Sequence, residues 1–410
     1  MEIKKFNPLN VSSKFAICGL PIRVDSYKTC SFGCKYCFAD NREIMKYEKR
    51  IQIGNVSQVE RKLNKIFDKK EVDSRNLLEV LIEQGITWHW GGMSDPFQPC
   101  ERKLGITKQL IDVTNRYGIH VLFSTKSNTT HEVDIRPDLH SFQLSISNVD
   151  DLKFIEPNVP SIESRYKFYR SLKDRGFRVG IRIQPFIPNV STLKIVEMFE
   201  DADQFTLEGI KIVPQNKECK EFILNKLGLK KEEFIQMGLL NLKPEIRLEM
   251  YKPFIEYFEK HNIPYSLADN DLHQYGTNKC CCGDRLVKKS TNFNNTAMIK
   301  TYGIDYAKEQ LDEEIYNSGC RDCKCNHLFT SNRQEGCTSV QDFFDKRFYR
   351  KSSPFSPEFL YRSEEKQESK KIKRKGCTVY EYKTLKDINS SVDGENPSIG
   401  EGDSHKRIYG

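Results

Sequence analysis

Three cysteines near the start of the chain, Cys30, Cys34 and Cys37, have the residue type and spacing that most strongly indicate chemistry. Three thiolates can bind three irons of a [4Fe–4S] cluster and leave the fourth iron open for an exchangeable ligand. A structural zinc site takes a fourth protein ligand, and none follows closely in the sequence. Gly33 allows the loop to turn sharply enough for the sulfurs to converge. The spacing predicts an iron–sulfur loop. A zinc loop completed from a distance and reduced structural thiols are the alternatives.

The elements that must position this loop are short β-rich runs that alternate with helical patterns. The predicted strands are residues 15–18, 86–90, 121–125, 142–147, 179–183, 209–213 and 265–268. Helical patterns lie at 107–117 and 161–175. Strands that alternate with helices form a parallel sheet through right-handed crossovers. Six or seven such units predict an α/β fold, a partial (β/α)6-type barrel with its site at the carboxyl ends of the strands.

Composition narrows the class of protein. The chain has 410 residues, of which 38% are hydrophobic and 30% charged, enough for a core under a polar surface. No apolar run approaches the roughly 18 residues of a membrane span, and the first residues lack a signal-peptide core, so we expect a cytoplasmic protein. Fourteen cysteines in such a protein indicate metal binding rather than disulfides. The net charge of +8 is weak evidence for a nucleic-acid partner.

The character of the chain changes after about residue 275, where the alternation of strands and helices stops. We expect the barrel over residues 1–275, a cysteine-rich metal-binding extension over 276–345, and a polar, partly disordered tail over 346–410. The tail includes a basic run at 370–375, which is typical of a solvated segment but could also contact a nucleic acid.

Several further motifs follow the cysteine loop in a specific order. They are residues 90–99 (WGGMSDPFQP), 124–127 (STKS), 144–147 (LSIS), 155–157 (IEP) and 182–188 (RIQPFIP). With the cysteine spacing, this set resembles the radical S-adenosylmethionine (radical SAM) superfamily, in its spore photoproduct lyase or DNA repair photolyase-like branch. The resemblance extends from about residue 15 to about residue 215, and more weakly to about 275.

The resemblance implies a role for five residues in binding S-adenosylmethionine. Gly91 and Gly92 let the ligand approach the backbone, Ser94 reaches its amino group, Lys126 meets its carboxylate, and Ser145 also contacts it. A cation and two hydroxyls suit a zwitterionic amino acid. The alternatives are structural: a turn cap for Ser94 and a surface position for Lys126.

The resemblance also implies a mechanism. An electron from a donor such as flavodoxin or ferredoxin reduces the cluster, S-adenosylmethionine is cleaved, and a 5′-deoxyadenosyl radical abstracts a hydrogen from the substrate. The cofactor carries the hard chemistry, so no side chain is assigned as a catalytic acid, base or nucleophile.

One position departs from the lyase pattern. The lyase has a hydrogen-donating cysteine just before its Thr-Ser-Asp, and the matching position here is Gly92. Cys100 lies nearby in sequence, but it follows the proline-flanked loop, and we expect an incidental thiol. Repair of spore photoproduct is therefore not the expected reaction.

The extension carries a second set of thiols. They are Cys280, Cys281, Cys282, Cys320, Cys323, Cys325 and Cys337, with His327 among them. This set predicts a metal site, which is either an auxiliary Fe–S cluster or structural zinc, and unligated thiols are the remaining alternative. Three adjacent cysteines do not all easily bind one ion, and the sequence does not say which residues are ligands.

The sequence leaves the substrate open among three hypotheses. A nucleic acid or nucleotide is favoured by the branch resemblance and the positive charge. A peptide or small metabolite is the second hypothesis. The third is a catalytically inactive, metal-binding nucleic-acid module, which an intact set of Ser94, Lys126 and Ser145 argues against.

Overall fold

The structure is a computed structural model of the chain. It describes residues 4–12, 18–39, 52–74, 76–150, 153–213, 217–237, 239–269, 272–278, 281–283 and 285–291, together with the backbone of 372–374 and 377–379. The strands, in chain order, are β1 Lys5–Phe6, β2 Leu9–Val11, β3 Ile22–Val24, β4 Ile53–Gly54, β5 Trp88–Trp90, β6 Val121–Thr125, β7 His140–Ser145, β8 Arg178–Phe186, β9 Phe205–Gly209, β10 Lys211–Ile212, β11 Phe234–Met237, β12 Leu239–Leu242, β13 Tyr265–Leu267, β14 Ile372–Arg374 and β15 Cys377–Val379.

The helices lie mainly between the strands of the principal sheet. They are α1 Val56–Leu63, α2 Leu77–Glu83, α3 Glu101–Leu104, α4 Ile106–Arg116, α5 Ile162–Asp174, α6 Lys194–Met198, α7 Lys217–Glu221 and α8 Pro244–Lys260. Two of them begin at side-chain caps: Asn76 accepts hydrogen bonds from the first turn of α2, and Ser161 accepts one from the Ser164 amide in α5.

The principal sheet has eight strands in the order β13-β9-β8-β7-β6-β5-β3-β2. Every neighbouring pair from β3 to β13 is parallel, and β2 pairs antiparallel with β3 at one edge. The predicted α/β class with a largely parallel sheet is confirmed, and a sheet with two edges is compatible with a partial barrel. Two smaller antiparallel sheets are formed by β10-β12-β11 and by β14-β15.

The strand predicted at 209–213 was placed wrongly. The strand that joins the principal sheet is Phe205–Gly209, whereas Lys211–Ile212 leaves that sheet and pairs with β12. Residues 209–213 contain three β-branched apolar residues, Ile210, Ile212 and Val213, and so gave the stronger strand pattern, whereas β9 carries the charged Glu208. Of the run predicted at 15–18, residues 15–17 lie outside the described residues. The strand that precedes the cysteine loop is Ile22–Val24.

The two faces of the principal sheet differ in polarity because side chains alternate along each strand. The outer face contributes Trp88, Phe123, Phe142 and Ile181 to the main hydrophobic cluster, which the surrounding helices complete. Each of these side chains is at most 1% exposed. Burial of one such side chain stabilises the fold by about 1.5–3 kcal/mol. The outer face therefore anchors the sheet and leaves the inner face available for polar groups.

Part of the predicted cysteine-rich extension lies against the inner face. The carbonyl of Cys282 accepts hydrogen bonds from the side-chain amides of Gln143 (3.1 Å) and Gln204 (3.0 Å). The carbonyl of Leu286 accepts one from the Ser141 hydroxyl. Residues 281–283 and 285–291 thus contact the barrel at the amino ends of its strands. The boundary at residue 276 stays a prediction.

Within the described part of the chain, no helix is both long enough and apolar enough to cross a membrane.

Candidate functional site

The cysteine loop follows β3 and is held by segments that follow β5 and β7. The Ser31 amide donates to Gln98 Oε1 (2.8 Å), and the Lys35 amide donates to the carbonyl of Ile155 (2.9 Å). Gly33 has a φ of +63°, the left-handed conformation that its predicted turn requires. The Cys37 amide donates to the carbonyl of Cys34 (3.0 Å), which closes the turn between these two cysteines.

The three cysteines of the loop are half-buried. Burial raises the pKa of Cys34 to about 12, although the nearby Lys126 ammonium opposes this shift. Burial also raises the pKa of Cys30 well above its usual range, and the backbone amides of Phe32 and Asp95 lower it in part. Without a metal the Cys30 and Cys34 thiols therefore hold their protons, and a metal would have to displace them.

Within the described residues, no three His, Cys, Asp or Glu side chains are gathered closely enough to share one metal ion. A [4Fe–4S] cluster bonds each cysteine to a different iron. Backbone amides directed at Cys30 suit a sulfur that ligates such a cluster.

The loop after β5 is fixed by two carboxylates, buried Asp95 and half-buried Asp25. Asp95 accepts hydrogen bonds from the Thr125 hydroxyl (2.8 Å), the Lys126 amide (2.6 Å) and the Phe97 amide (2.9 Å). Burial nevertheless raises the pKa of Asp95 to about 6. Asp25 accepts from the amides of the loop, including that of Ser94 (3.2 Å). These contacts join the loop to the carboxyl end of β6.

Ser94 is buried, and its hydroxyl donates to the carbonyl of Tyr27 (2.5 Å). The hydroxyl proton therefore forms a hydrogen bond within the protein, as expected for a residue that stabilises a turn. Its oxygen lone pairs still accept hydrogen bonds, and an ammonium group of a ligand can only donate. The geometry is compatible with both roles considered for Ser94.

The two glycines of the loop differ in whether the backbone leaves room for a side chain. Gly91 has a φ of +98°, and a Cβ there would collide with the carbonyl oxygen of Ser124 on the neighbouring strand. At Gly92 the nearest atom to such a Cβ would be Nη1 of Arg23, at 3.6 Å. The backbone itself therefore requires Gly91, whereas Gly92 borders the interior of the barrel.

Lys126 lies in the mouth of the barrel, where its side chain is 15% exposed. Its ammonium donates to Glu156 Oε1 at 3.0 Å, and lies 3.4 Å from the Ser147 hydroxyl. The same nitrogen is 5.5 Å from the centre of the Tyr36 ring, a cation–π contact. The alternative of a surface lysine is wrong, because the side chain is enclosed by these groups.

Glu156 joins the cysteine loop to Lys126. It accepts a hydrogen bond from the Tyr36 hydroxyl, and its other oxygen lies 3.7 Å from Nη2 of Arg165. Two positive charges keep the pKa of this buried carboxyl below its usual range, against the effect of burial. The sequence analysis gave Glu156 no role beyond its place in the IEP motif, and it missed the network. The signal for it was a charged residue directly beyond the end of β7.

Ser145 ends β7 with a half-buried side chain. Its carbonyl accepts hydrogen bonds from Arg165 Nη1 (3.1 Å) and from Lys126 Nζ (3.5 Å). The structure thus brings together Ser145, Lys126 and the cysteine loop at the carboxyl ends of the strands. Cys100 lies elsewhere: it precedes α3 and packs against the main hydrophobic cluster. Burial and the adjacent Glu101 raise its pKa to about 12.

Most of the predicted C-terminal thiols lie outside the described residues. These are Cys280, Cys320, Cys323, Cys325 and Cys337. Cys282 is buried against Leu20, Leu122 and Leu286, and Cys281 packs beside the same cluster.

Comparisons with known proteins give distant likenesses, and the chain matches no known family model. It is 24% identical over 202 residues to an uncharacterized protein of Methanocaldococcus jannaschii, covering 48% of this chain and 71% of that protein. It is 24% identical over 249 residues to an uncharacterized protein of Acidianus two-tailed virus, covering 57% of this chain and 78% of the viral protein.

Among solved structures, the chain is similar to spore photoproduct lyase. For that lyase complexed with dinucleoside spore photoproduct, the identity is 15% and the TM-score 0.46, over 60% of this chain and 76% of the lyase. For SuiB of Streptococcus suis bound to S-adenosylmethionine, the identity is 13% and the TM-score 0.40, over 62% of this chain and 52% of SuiB.

Proposed function

We propose that the protein is a radical SAM enzyme that binds one catalytic [4Fe–4S] cluster through Cys30, Cys34 and Cys37. The observation that carries the proposal is the position of Tyr36. This residue lies between two of the three cysteines, and its ring is 5.5 Å from the Lys126 ammonium. The cysteine loop and the lysine therefore meet at the carboxyl ends of parallel strands, where barrels of this class carry their sites. When bound, the cluster and S-adenosylmethionine would supply the one-electron chemistry that abstracts hydrogen from a substrate.

The chain's own residues would bind and orient S-adenosylmethionine. Lys126 offers a cation to its carboxylate, and the Ser94 oxygen can accept from its amino group. Gly91 and Gly92 leave the backbone of the loop open to close approach. We propose the Ser145 hydroxyl as a further polar contact at the end of β7.

Glu156 would adjust the charge of this site. In the absence of ligand it neutralises Lys126, and it also holds Tyr36 beside the cysteine loop. A ligand carboxylate would then share the lysine with Glu156, while Arg165 balances the second negative charge. The buried rings of Tyr36 and Phe32 would exclude water from the cysteine side of the site.

We propose a nucleic acid or nucleotide as the substrate, with an external electron donor of the flavodoxin or ferredoxin type. The net charge of +8 and the sequence resemblance support this choice. Salt-sensitive binding of DNA or RNA is expected, because phosphate contacts release counterions. Absent or salt-independent binding would instead favour a peptide or small metabolite.

The test of the catalytic proposal is the formation of 5′-deoxyadenosine from S-adenosylmethionine under a strong reductant, with protein purified without oxygen. Wild type is expected to form the product and to bind about four irons in its catalytic cluster. Cys34→Ala should abolish both. Cys100→Ala is the matched control, because this half-buried thiol lies away from the site, and it should retain both. Product formation by Cys34→Ala at the wild-type rate would overturn the proposal.

The C-terminal thiols call for a separate measurement, because a second cluster and structural zinc remain the two proposals for them. About eight irons and no zinc per chain would assign a second [4Fe–4S] cluster. About four irons with one zinc would assign a structural metal to the extension.

A further inference from the structure

A row of polar side chains crosses the inner face of the principal sheet, with one residue on each of six adjacent strands. We call it the inner polar row, and it consists of Arg23, His89, Ser124, Gln143, Arg182 and Glu208. No residue proposed to bind the cluster or S-adenosylmethionine belongs to it. Polar groups on so much of a buried face need partners, and in this row they are largely each other.

The hydrogen bonds of the row run continuously across the sheet. Arg23 Nη1 donates to His89 Nδ1, so that His89 is neutral and its Nε2 donates to the Ser124 hydroxyl (2.8 Å). The Ser124 hydroxyl donates to Gln143 Oε1 (3.4 Å), which also accepts from Arg182 Nη1 (3.4 Å). At the far end, Arg182 Nη2 donates to Glu208 Oε2 at 2.6 Å.

The row lies one step deeper in the barrel than the proposed S-adenosylmethionine site. Gln143 lies two residues before Ser145 in β7 and therefore on the same face. Ser124 lies in β6, two residues before Lys126, which directly follows that strand. Beneath the row, the Gln143 amide donates to the carbonyl of Cys282. The row is thus the polar layer between that site and the segment that closes the amino end of the barrel.

Arg23 differs from the other buried cations of the barrel. Arg182 is paired with Glu208, Lys126 with Glu156, and Arg247 with Asp269 (2.9 Å). Among the described residues, Arg23 pairs with no carboxylate. Its hydrogen-bond partners are neutral His89 and the Cys18 sulfur (3.3 Å).

The charge of the row is unbalanced by this arrangement. Arg182 opposes the positive charge of Arg23, and Glu208 is the one carboxylate of the row. Lys211 adds a further cation, which lies beside Glu208 and 3.9 Å from Asp269.

The surroundings of Arg23 hold its charge in place. Burial lowers its pKa, but the nearby sulfurs of Cys18, Cys282 and Cys281 raise it, and the pKa is raised as a whole. An excess of positive charge inside the barrel is costly until an anion enters, and a guanidinium fork matches the oxygens of a phosphate group.

We propose that Arg23, supported by Arg182, forms an anion subsite that holds a phosphate group of the substrate inside the barrel. The inference rests on the proposed function for the identity of the substrate, but the subsite itself does not require the cluster. Gly92 lies beside the Arg23 guanidinium, because a Cβ at that position would be 3.6 Å from Arg23 Nη1. The loop that is proposed to bind S-adenosylmethionine is therefore next to Arg23.

The test is binding of inorganic phosphate to the full-length protein, measured by calorimetry at low ionic strength. Wild type is expected to bind phosphate, Arg23→Gln to bind it at least about tenfold more weakly, and Arg23→Lys to fall between them because the charge stays and the fork is lost. Arg102→Gln is the matched control, because it removes one positive charge from an exposed position outside the barrel, and it should bind like wild type. Thermal unfolding of each variant checks that it is folded.

Three outcomes would overturn the subsite: no phosphate binding by wild type, equal loss in Arg23→Gln and Arg102→Gln, or equal affinity in wild type and Arg23→Gln. Acetate bound as tightly as phosphate, with the same dependence on Arg23, would overturn the choice of phosphate and assign a carboxylate. The proposed function fails separately: wild type that binds phosphate through Arg23 but binds no iron and forms no 5′-deoxyadenosine leaves the subsite intact.

Discussion

Lys126 and Glu156 form a buried ion pair of 3.0 Å that joins the end of β6 to the segment after β7. Glu156 also accepts from the hydroxyl of Tyr36, which lies within the cysteine loop. One carboxylate therefore connects the two parts of the site that the sequence separates by about ninety residues, the loop of thiols and the lysine. Loss of either charge should therefore disturb both the cysteine loop and the surroundings of Lys126.

The Lys126–Glu156 pair allows structural and binding roles to be separated. Lys126→Gln leaves Glu156 buried with only the more distant Arg165, and breaking such a pair costs about 3 kcal/mol. The double variant Lys126→Gln with Glu156→Gln removes both charges of the pair but leaves buried Arg165 without its carboxylate, so it should recover none of the thermal stability. Affinity for S-adenosylmethionine, measured by calorimetry, should fall in both variants.

Two results would contradict this account of the pair. A double variant more stable than Lys126→Gln would mean that Arg165 does not depend on Glu156 as its carboxylate partner. Wild-type affinity for S-adenosylmethionine in Lys126→Gln would remove the lysine from the binding site.

Adjacent glycines provide a second, matched comparison. Gly91→Ala forces a left-handed φ on alanine and places its Cβ against the Ser124 carbonyl, and we expect a loss of at least about 2 kcal/mol. Gly92→Ala meets its nearest neighbour at 3.6 Å and should unfold near the wild-type temperature. Thermal unfolding of the two variants measures the difference, and equal midpoints would show that the loop relaxes around residue 91.

The sequence predicted those parts of the fold and site that rest on local patterns. The strands at 121–125 and 265–268 and the helix at 161–175 have clear apolar periodicity, and the structure has each of them within a residue or two. The position of Gly33 in a tight turn followed from its residue type alone. The close spacing of the three cysteines along the chain also predicted that they lie in one loop.

Contacts between distant segments could not be predicted in this way. Nothing local in the sequence indicates that Tyr36 contacts Glu156, or that the carbonyl of Cys282 lies against Gln143. β9 was missed because Glu208 is a charged residue on a buried face, and only its pairing with Arg182 makes that position favourable. These contacts depend on which strands become neighbours.

His140 should make the stability of the protein depend on pH. It is buried at the start of β7, and burial lowers its pKa to about 4. The charges around it are mixed: Asp134 and Asp138 favour the protonated form, whereas Arg136 and His120 disfavour it. The Arg136 amide donates to His140 Nδ1, which fixes the neutral tautomer.

The sign of the effect follows from the neutral state of His140 in the fold. At a pH above its ordinary pKa of 6.5, His140 is neutral in the folded and the unfolded chain and does not lower the free energy of unfolding. As the pH falls from 6.5 towards 4, the unfolded chain binds a proton that the folded chain does not, and the free energy of unfolding decreases. The loss is about 2 kcal/mol at pH 5. Urea unfolding of wild type and His140→Gln at pH 7 and pH 5 should show a larger loss in wild type, and an equal loss in both would contradict the assignment.

The segment that closes the barrel depends on Gly283. This residue has a φ of +83°, and a Cβ there would collide with the side chain of Gln204, whose amide donates to the carbonyl of Cys282. Gly283→Ala should therefore loosen the segment, and trypsin should cleave after Arg285 about tenfold faster, which corresponds to about 1.4 kcal/mol of local stability. Gly228→Ala has a similar backbone strain, with φ +66° and nothing within 4 Å of the added atom, and serves as the control. Faster cleavage after Arg285 in both variants would trace the effect to general destabilisation, whereas an unchanged rate in Gly283→Ala would show that the segment is not held by Gln204.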